Sequence, residues 1–493
     1  MPSETFSRII FSSVLQKDIF VNILGSRAAL IAETSSNSSN GKTTLARSNS
    51  PASDDNYATL YDCVGSNSER YGSLDTRKLP NAVLPAYVDT RGGRLELRKS
   101  GVALTVPEGA FADERMVYIA VSNDPTDRPK LDVGDTFLSC TVMIGLYKST
   151  NCDENETFLH RPLIVSFRHS ANTFPSNNWL FMLYYKTDHS GCWQMVCEIG
   201  DEDINTPVYC HIDSTRCHIM TEQYGEMILV GRPKKTSLIT AKRARLAVFG
   251  PSLHRVSEDL SLRVYCLPET GVAFDRVLRQ EEGGGVLLAH AENFLLREKG
   301  ALCFCLEDLC IGTTTRPAVQ YLEVADSQHD WCSQSGVHCS FSVQISEDLL
   351  ETLTGRIIVH QKGNADARQV LEFDMQHIPI YGDIEEYECS SAGFLLSSST
   401  KWKLSQIFDV LMDSENDWRG LAKKLDLCRF IQYFATRPSV SPTSLVLDLW
   451  EAVKAGSQKA PFELLQIVRV MGRIDATAVL HEYLSKLNFT VSL

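Results

Sequence analysis

"NDWRGLAKKLDLCRFIQYFAT", residues 416–436, followed closely by "SPTSLVLDLWEA" at 441–452, decides how the end of this chain folds. Trp418, Leu421, Ala422 and Leu425 recur at i, i+3, i+4 and i+7, which lines four apolar side chains along one helix face and turns Trp418 inward. Ser441 caps a second helix with Pro442 at its first position, and Val446, Leu449, Trp450 and Val453 repeat the spacing. Leu404, Ile407, Phe408 and Leu411 make a stripe ahead of these two, and Phe462, Leu465 and Val468 begin another after Pro461. Capped, striped segments in succession predict an all-α bundle of six helices over residues 401–488.

Ahead of the bundle the texture is β. "GRLELRKSGVALTVPEGAF" alternates Leu95/Leu97, turns at Gly101, and alternates Val102/Leu104/Val106 before Pro107. "MVYIAVS", "FLSCTVMIGLY", "PLIVSFRHS", "WLFMLYYKT" and "CWQMVCEIG" continue the run, which predicts a β-sandwich over 86–232. A second mainly β domain, 246–385, holds "LSLRVYCL", "ALCFCLEDL", "GRIIVHQ" and "QVLEFDM" with one helical insert near 270–282. The fold class is therefore two β-sandwich domains followed by an α-helical bundle. Between the sandwiches, "GRPKKTSLITAKRARL" (231–246) carries six basic residues and no acid, the pattern of a solvated linker or of a surface for an acidic partner or anionic lipid. The stretch from "DIEEYE" through "SSAGFLLSSST", near 381–400, is expected to be a flexible connection to the bundle. Residues 1–85 form an N-terminal region without a core, rich in Ser, Asn and Thr over 33–80. Tyr57, Tyr61 and Tyr71 within it, beside acidic residues, are candidate phosphorylation sites.

Composition narrows the function classes. With 493 residues and 43% hydrophobic content the chain can bury several cores, and its formal charge of −13 disfavours a nucleic-acid partner. Fifteen cysteines without regular spacing point to reduced thiols. Cys303, Cys305 and Cys310, followed by His329, Cys332, His338 and Cys339, lack paired CxxC knuckles and alternate with Leu302, Phe304 and Leu306, so they are expected to be strand thiols rather than a metal site. Charged residues interrupt the apolar stretch 6–32, leaving no piece long enough to span a membrane. No GxGxxG, P-loop, GxSxG or HExxH motif occurs, so no catalytic residue, cofactor or metal is expected. The ending "NFTVSL" places Val491 and Leu493 in the apolar-x-apolar pattern that extends a PDZ-type sheet. Lys423 and Lys424, on the outer side of the Trp418 helix, are candidate partner contacts.

Three blocks together resemble one family. "GRLELRKSGVALTVPEGAF" resembles the opening of a ZU-five domain, "AKRARLAVFGPSL…LSLRVYCLPETGVAF" the entry to a UPA domain, and "NDWRGLAKKLDLCRFIQYFATRPSVSPTSLVLDLWEA" the Death domain of the Unc-five family of netrin receptors. The resemblance covers about residues 57–488 and implies a non-enzymatic signalling role in axon repulsion, cell migration and apoptosis, with other signalling proteins bound through the Death and UPA domains. It also implies a closed state in which the bundle rests on the sandwiches; residues 401–493 carry 12 Lys and Arg against 10 Asp and Glu, opposite in sign to the rest of the chain. Full receptors of that family add immunoglobulin and thrombospondin modules and a membrane helix, none of which is read here. The expected location is cytoplasmic for the sequence as it stands, or the cytoplasmic side of a single-pass cell-membrane protein where those modules are joined; netrin is then a partner only through such an ectodomain. A soluble adaptor with the same three domains is the alternative. Related ZU-five domains cleave their own chain at a His-(Phe or Leu)-Ser site; the comparable residues here are His218, Ile219 and Met220, and a thioether in place of the hydroxyl closes that route.

Overall fold

A computed structural model describes residues 82–490 except 123–127, 147–158, 175–177, 188–190, 204, 235–239, 252–258, 312–313, 317–319, 326–335, 345–350, 379–386, 391–394 and 438–439. The first sandwich is built from β1 (Ala82–Val88), β2 (Gly93–Leu97), β3 (Val102–Val106), β4 (Arg115–Ser122), β5 (Thr136–Phe137), β6 (Thr141–Leu146), β7 (Leu163–Arg168), β8 (Trp179–Thr187), β9 (Gln194–Glu198), β10 (Val208–Ile212), β11 (Arg216–Thr221) and β12 (Gly225–Pro233). One sheet runs β1-β4-β6-β12-β8-β9 with β5 beside β12; the other begins β10-β11-β7-β3-β2. Leu95, Leu104, Val165 and Ile219 of the second sheet share one buried cluster with Ile119, Val142, Leu183 and Leu229 of the first. Period-two alternation is what lets each strand supply this core with every other residue.

The second sandwich comprises β13 (Ala241–Pro251), β14 (Asp259–Pro268), helix α1 (Gly271–Glu281), β15 (Gly285–Arg297), β16 (Leu302–Ile311), β17 (Thr314–Arg316), β18 (Gln320–Val324), β19 (Val337–Gln344), β20 (Thr354–Gln361) and β21 (Asn364–Asp374). Its sheets run β15-β13-β14-β19 and β17-β16-β20-β21, with β18 beside β16. The thiols on β16 behave as strand residues: Cys303 is buried, and the Tyr321 hydroxyl donates to its sulfur at 2.9 Å. Thr270 caps α1, as the helical insert requires, and Val272 of that helix enters the core of the first sandwich. Gly271 makes that approach possible, because a Cβ there would lie 1.7 Å from the Lys99 carbonyl oxygen in the β2–β3 turn.

The second half of the basic run between the sandwiches, residues 241–246, is not solvated linker but strand. Lys242, Arg243 and Arg245 are buried on β13. Arg243 donates to the carbonyls of Ser214 (2.6 Å) and His169 (2.5 Å) in the first sandwich and lies 3.8 Å from Glu269. Arg245 pairs with Glu292 and stacks over the Phe274 ring at 4.4 Å. A charge count over the run sees none of these partners, because all of them are distant in sequence. The connection to the bundle is likewise engaged: β22 (Tyr387–Ser390) lies antiparallel to β2 and closes the free edge of the first sandwich's second sheet.

The bundle has α2 (Ser398–Phe408), α3 (Trp418–Lys424), a 3-10 turn at Cys428–Phe430, α4 (Ile431–Ala435), α5 (Pro442–Val453), α6 (Ala460–Val470) and α7 (Ile474–Thr490), six α-helices among the described residues. Side chains of Ser397, Asp417 and Ser441 accept from the amides of Thr400, Arg419 and Ser444 and fix three of the starts. Trp418 and Trp450 are buried. Two stripe positions fall outside the core. Leu411 is 67% exposed because α2 stops at Phe408, and Asp409 just beyond it accepts from the Thr443 amide (3.0 Å) and hydroxyl (2.6 Å) at the start of α5. Phe462 is 48% exposed because α6 begins at Ala460 and its inward phase is Pro461, Leu464, Leu465 and Val468.

Candidate functional site

In β11, Cys217 and Ile219 enter the sandwich core, while His218 and Met220 point to the opposite face and are equally buried. The outer face of an antiparallel sandwich normally meets water, so a strand buried on both faces must be covered. The bundle covers it. Helix α5 packs across β7 and β11, and Ile164, Tyr209 and Met220 share a buried cluster with Phe430, Tyr433, Leu445 and Trp450. The rings of Tyr209 and Tyr433 have centroids 3.9 Å apart; Phe430 lies 6.2 Å from Tyr209 and 6.1 Å from His211.

Ion pairs fix the orientation. Arg161, just ahead of β7, donates to Asp448 (3.2 Å) and Ser444 (2.8 Å) on α5. Arg429 reaches Glu202 and Arg437 reaches Glu222, each at 2.7 Å. Every residue of α5 from Thr443 to Ala452 is buried, which an amphipathic helix on a bundle's surface would not be. Its polar residues are therefore partnered: Lys401 binds Asp448 (2.9 Å) and Glu451, and Glu451 also accepts from the Leu396 amide (2.7 Å). Burial pulls the Lys401 ammonium down, but Asp448 and Glu451 outweigh it and hold it above its ordinary range; burial pushes Glu451 up to about 7 against the pull of Lys401.

His218 is embedded beneath α5. Its Nδ1 accepts from the Ser166 hydroxyl (2.8 Å) and its Nε2 faces Asp213 Oδ2 (3.4 Å), the tautomer that satisfies both neighbours. Burial holds this imidazole below its ordinary range, hence neutral near pH 7. Burial also pulls Asp213 upward, but the His218 side chain and the amides of Thr215 and Arg216 outweigh it and leave the carboxyl well below its usual range. Ser166 sits in mid-strand with full burial, so the three groups lock a turn and a strand rather than meet a substrate. Met220 supplies no hydroxyl to the His218-Ile219-Met220 stretch; its thioether is instead packing material for the bundle. Denatured chain is accordingly expected to run as one species of 55.0 kDa, and two stoichiometric fragments meeting at residues 218–220 would contradict this.

The structure brings His218 and Met220 to the interface and leaves Lys423 and Lys424 exposed on α3, away from it, with Lys423 paired to Glu415. Tyr57, Tyr61, Tyr71, Val491 and Leu493 lie outside the described residues. Sequence reasoning missed Arg161, Tyr209, Arg429 and Arg437, whose only signal was a polar side chain next to an apolar one, a common pattern on any surface.

Three domain families match in succession: the ZU5 domain over residues 85–187, the UPA domain over 240–377 and the Death domain over 403–484. The chain carries ZU5, UPA and Death domains. It is similar to netrin receptor UNC5D of Mus musculus and of Rattus norvegicus, 28% identical to each over 377 residues, or 73% of this chain. It spans about 37% of the length of these relatives. Of the strands that receive the Death domain, β7 lies within the residues matched as ZU5, whereas β10 and β11 lie C-terminal to them in the same sandwich. Among the described residues no helix is long and apolar enough to cross a membrane.

Proposed function

We propose that this chain is a netrin-receptor-type signalling unit that works by protein–protein contact, with axon repulsion, cell migration and Death-domain-linked apoptosis as its outputs. The observation that supports this reading is the docked Death domain: its α4–α5 region is occupied by the ZU5 sandwich, so the arrangement is one state of a switch whose other state frees that surface for other signalling proteins. The similarity to netrin receptors supports the upstream half, in which netrin is sensed by an ectodomain joined to this unit at the membrane. The test is a fusion of the chain behind the ectodomain and membrane helix of a netrin receptor, expressed in neurons lacking their own. Netrin-evoked growth-cone repulsion is the expected result; equal activity from the chain without any membrane segment would favour a soluble adaptor instead.

A further inference from the structure

At the rim of the ZU5 sandwich, beside the Death domain, thiols from two strands converge on a carboxylate. Cys197 lies on β9 in one sheet, Cys210 on β10 of the other, and Glu202 in the connection between β9 and β10. The sulfurs of Cys197 and Cys210 and a carboxylate oxygen of Glu202 all lie within 4.8 Å of one another. The Glu202 side chain is only 5% exposed. Its Oε2 accepts from the Gly200 amide (2.8 Å) and from Arg429 of the Death domain (2.7 Å), whereas its Oε1 is buried with no hydrogen-bond partner among the described residues. A buried carboxylate oxygen without a partner has lost its hydration with nothing in return, a deficit that a cation beside the two thiols would make good.

We propose that Cys197, Cys210 and Glu202 Oε1 bind a zinc-type divalent cation, with a water as the fourth ligand. Two sulfurs and one carboxylate oxygen suit a borderline-soft ion that accepts tetrahedral S/O sets, and do not suit calcium or magnesium, which require oxygen ligands. Zinc bonds of about 2.0–2.3 Å place tetrahedral ligand atoms roughly 3.5–4 Å apart, so the observed cluster needs only side-chain adjustment to close on an ion. The ion would clasp the edges of the two sheets together through Cys197 and Cys210. It would also leave Glu202 Oε2 aimed at Arg429, whose positive charge offsets the net negative charge of a site with two thiolates and one carboxylate around a dication. Loading the site and docking the Death domain therefore share one residue and are thermodynamically linked.

The experiment uses the full chain, stripped with a chelator under reducing conditions and dialysed against micromolar Zn²⁺ or, in parallel, Co²⁺. One zinc per chain is expected, with a near-ultraviolet thiolate-to-metal band in the cobalt form. Cys197→Ala and Glu202→Gln should each weaken binding at least about tenfold, while Cys192→Ser, an exposed thiol off the site, leaves it unchanged. Near-ultraviolet circular dichroism of each variant separates lost ligation from lost fold, and the isosteric Glu202→Gln, with no thiol removed from the core, keeps the test open if Cys197→Ala unfolds. Zinc should further slow amide exchange in the segment around Arg429. Zinc content below a tenth of an equivalent would overturn the proposal, as would binding indifferent to both Cys197→Ala and Glu202→Gln.

Discussion

Met220→Asp is expected to release the Death domain from the ZU5 sheet while both stay folded. Met220 has no exposed surface in the docked arrangement, and it faces the bundle rather than the sandwich core. An aspartate there would be an unpaired buried charge when docked, at a cost of about 3–5 kcal/mol, and a solvated surface residue when released. A docking equilibrium shifted by that amount changes more than about a hundredfold. Limited proteolysis around residues 391–397 and small-angle scattering would report the opened, extended molecule. Met220→Leu, which keeps volume and polarity, should remain closed at a cost under about 1.5 kcal/mol. An aspartate variant as compact and protease-resistant as the parent would show that Met220 does not hold the interface.

Trp418→Ala is expected to unfold or strongly destabilise the bundle. Trp418 starts α3 with Asp417 capping it, is buried, and belongs to the cluster that also holds Leu421, Ala422 and Trp450. Removing a buried aromatic costs about 3–5 kcal/mol, a large share of the roughly 5–15 kcal/mol that holds a domain folded. Lys423→Glu with Lys424→Glu, on the exposed side of the same helix, removes one surface pair with Glu415 and should change stability by no more than about 1 kcal/mol. Thermal denaturation followed by tryptophan fluorescence distinguishes the two. A double lysine variant that melts while Trp418→Ala does not would mean that the helix faces the other way.

What the sequence disclosed and what it hid divide along the range of the interactions. Strands and helices whose partners are one period away, such as Leu95/Leu97 or Trp418/Leu421/Ala422, were legible because periodicity is local. The cap at Ser441 was legible for the same reason. Leu411 and Phe462 were misplaced by a helix end and a helix phase, which a stripe of four residues does not fix. The basic run at 231–246 was misread because Glu269, Glu292 and Phe274, which neutralise or stack on it, are contributed by other strands and by α1. The interface was hidden most completely. His218 and Met220 were read only against a self-cleavage route that Met220 closes, and three-dimensional pairing of β7, β10 and β11 exposes them as a docking platform. Cys197, Cys210 and Glu202 have no metal-ligand spacing in sequence, since the sandwich fold alone assembles them.

The most direct test of the closed arrangement is amide exchange on the Death domain, compared between residues 395–493 alone and the chain from residue 82 onward. Docking predicts extra protection confined to the 3-10 turn, α4 and α5, residues 428–453, in the longer chain, with α6 and α7 unchanged. Identical exchange in the two would contradict the closed state and leave the three domains as independent units.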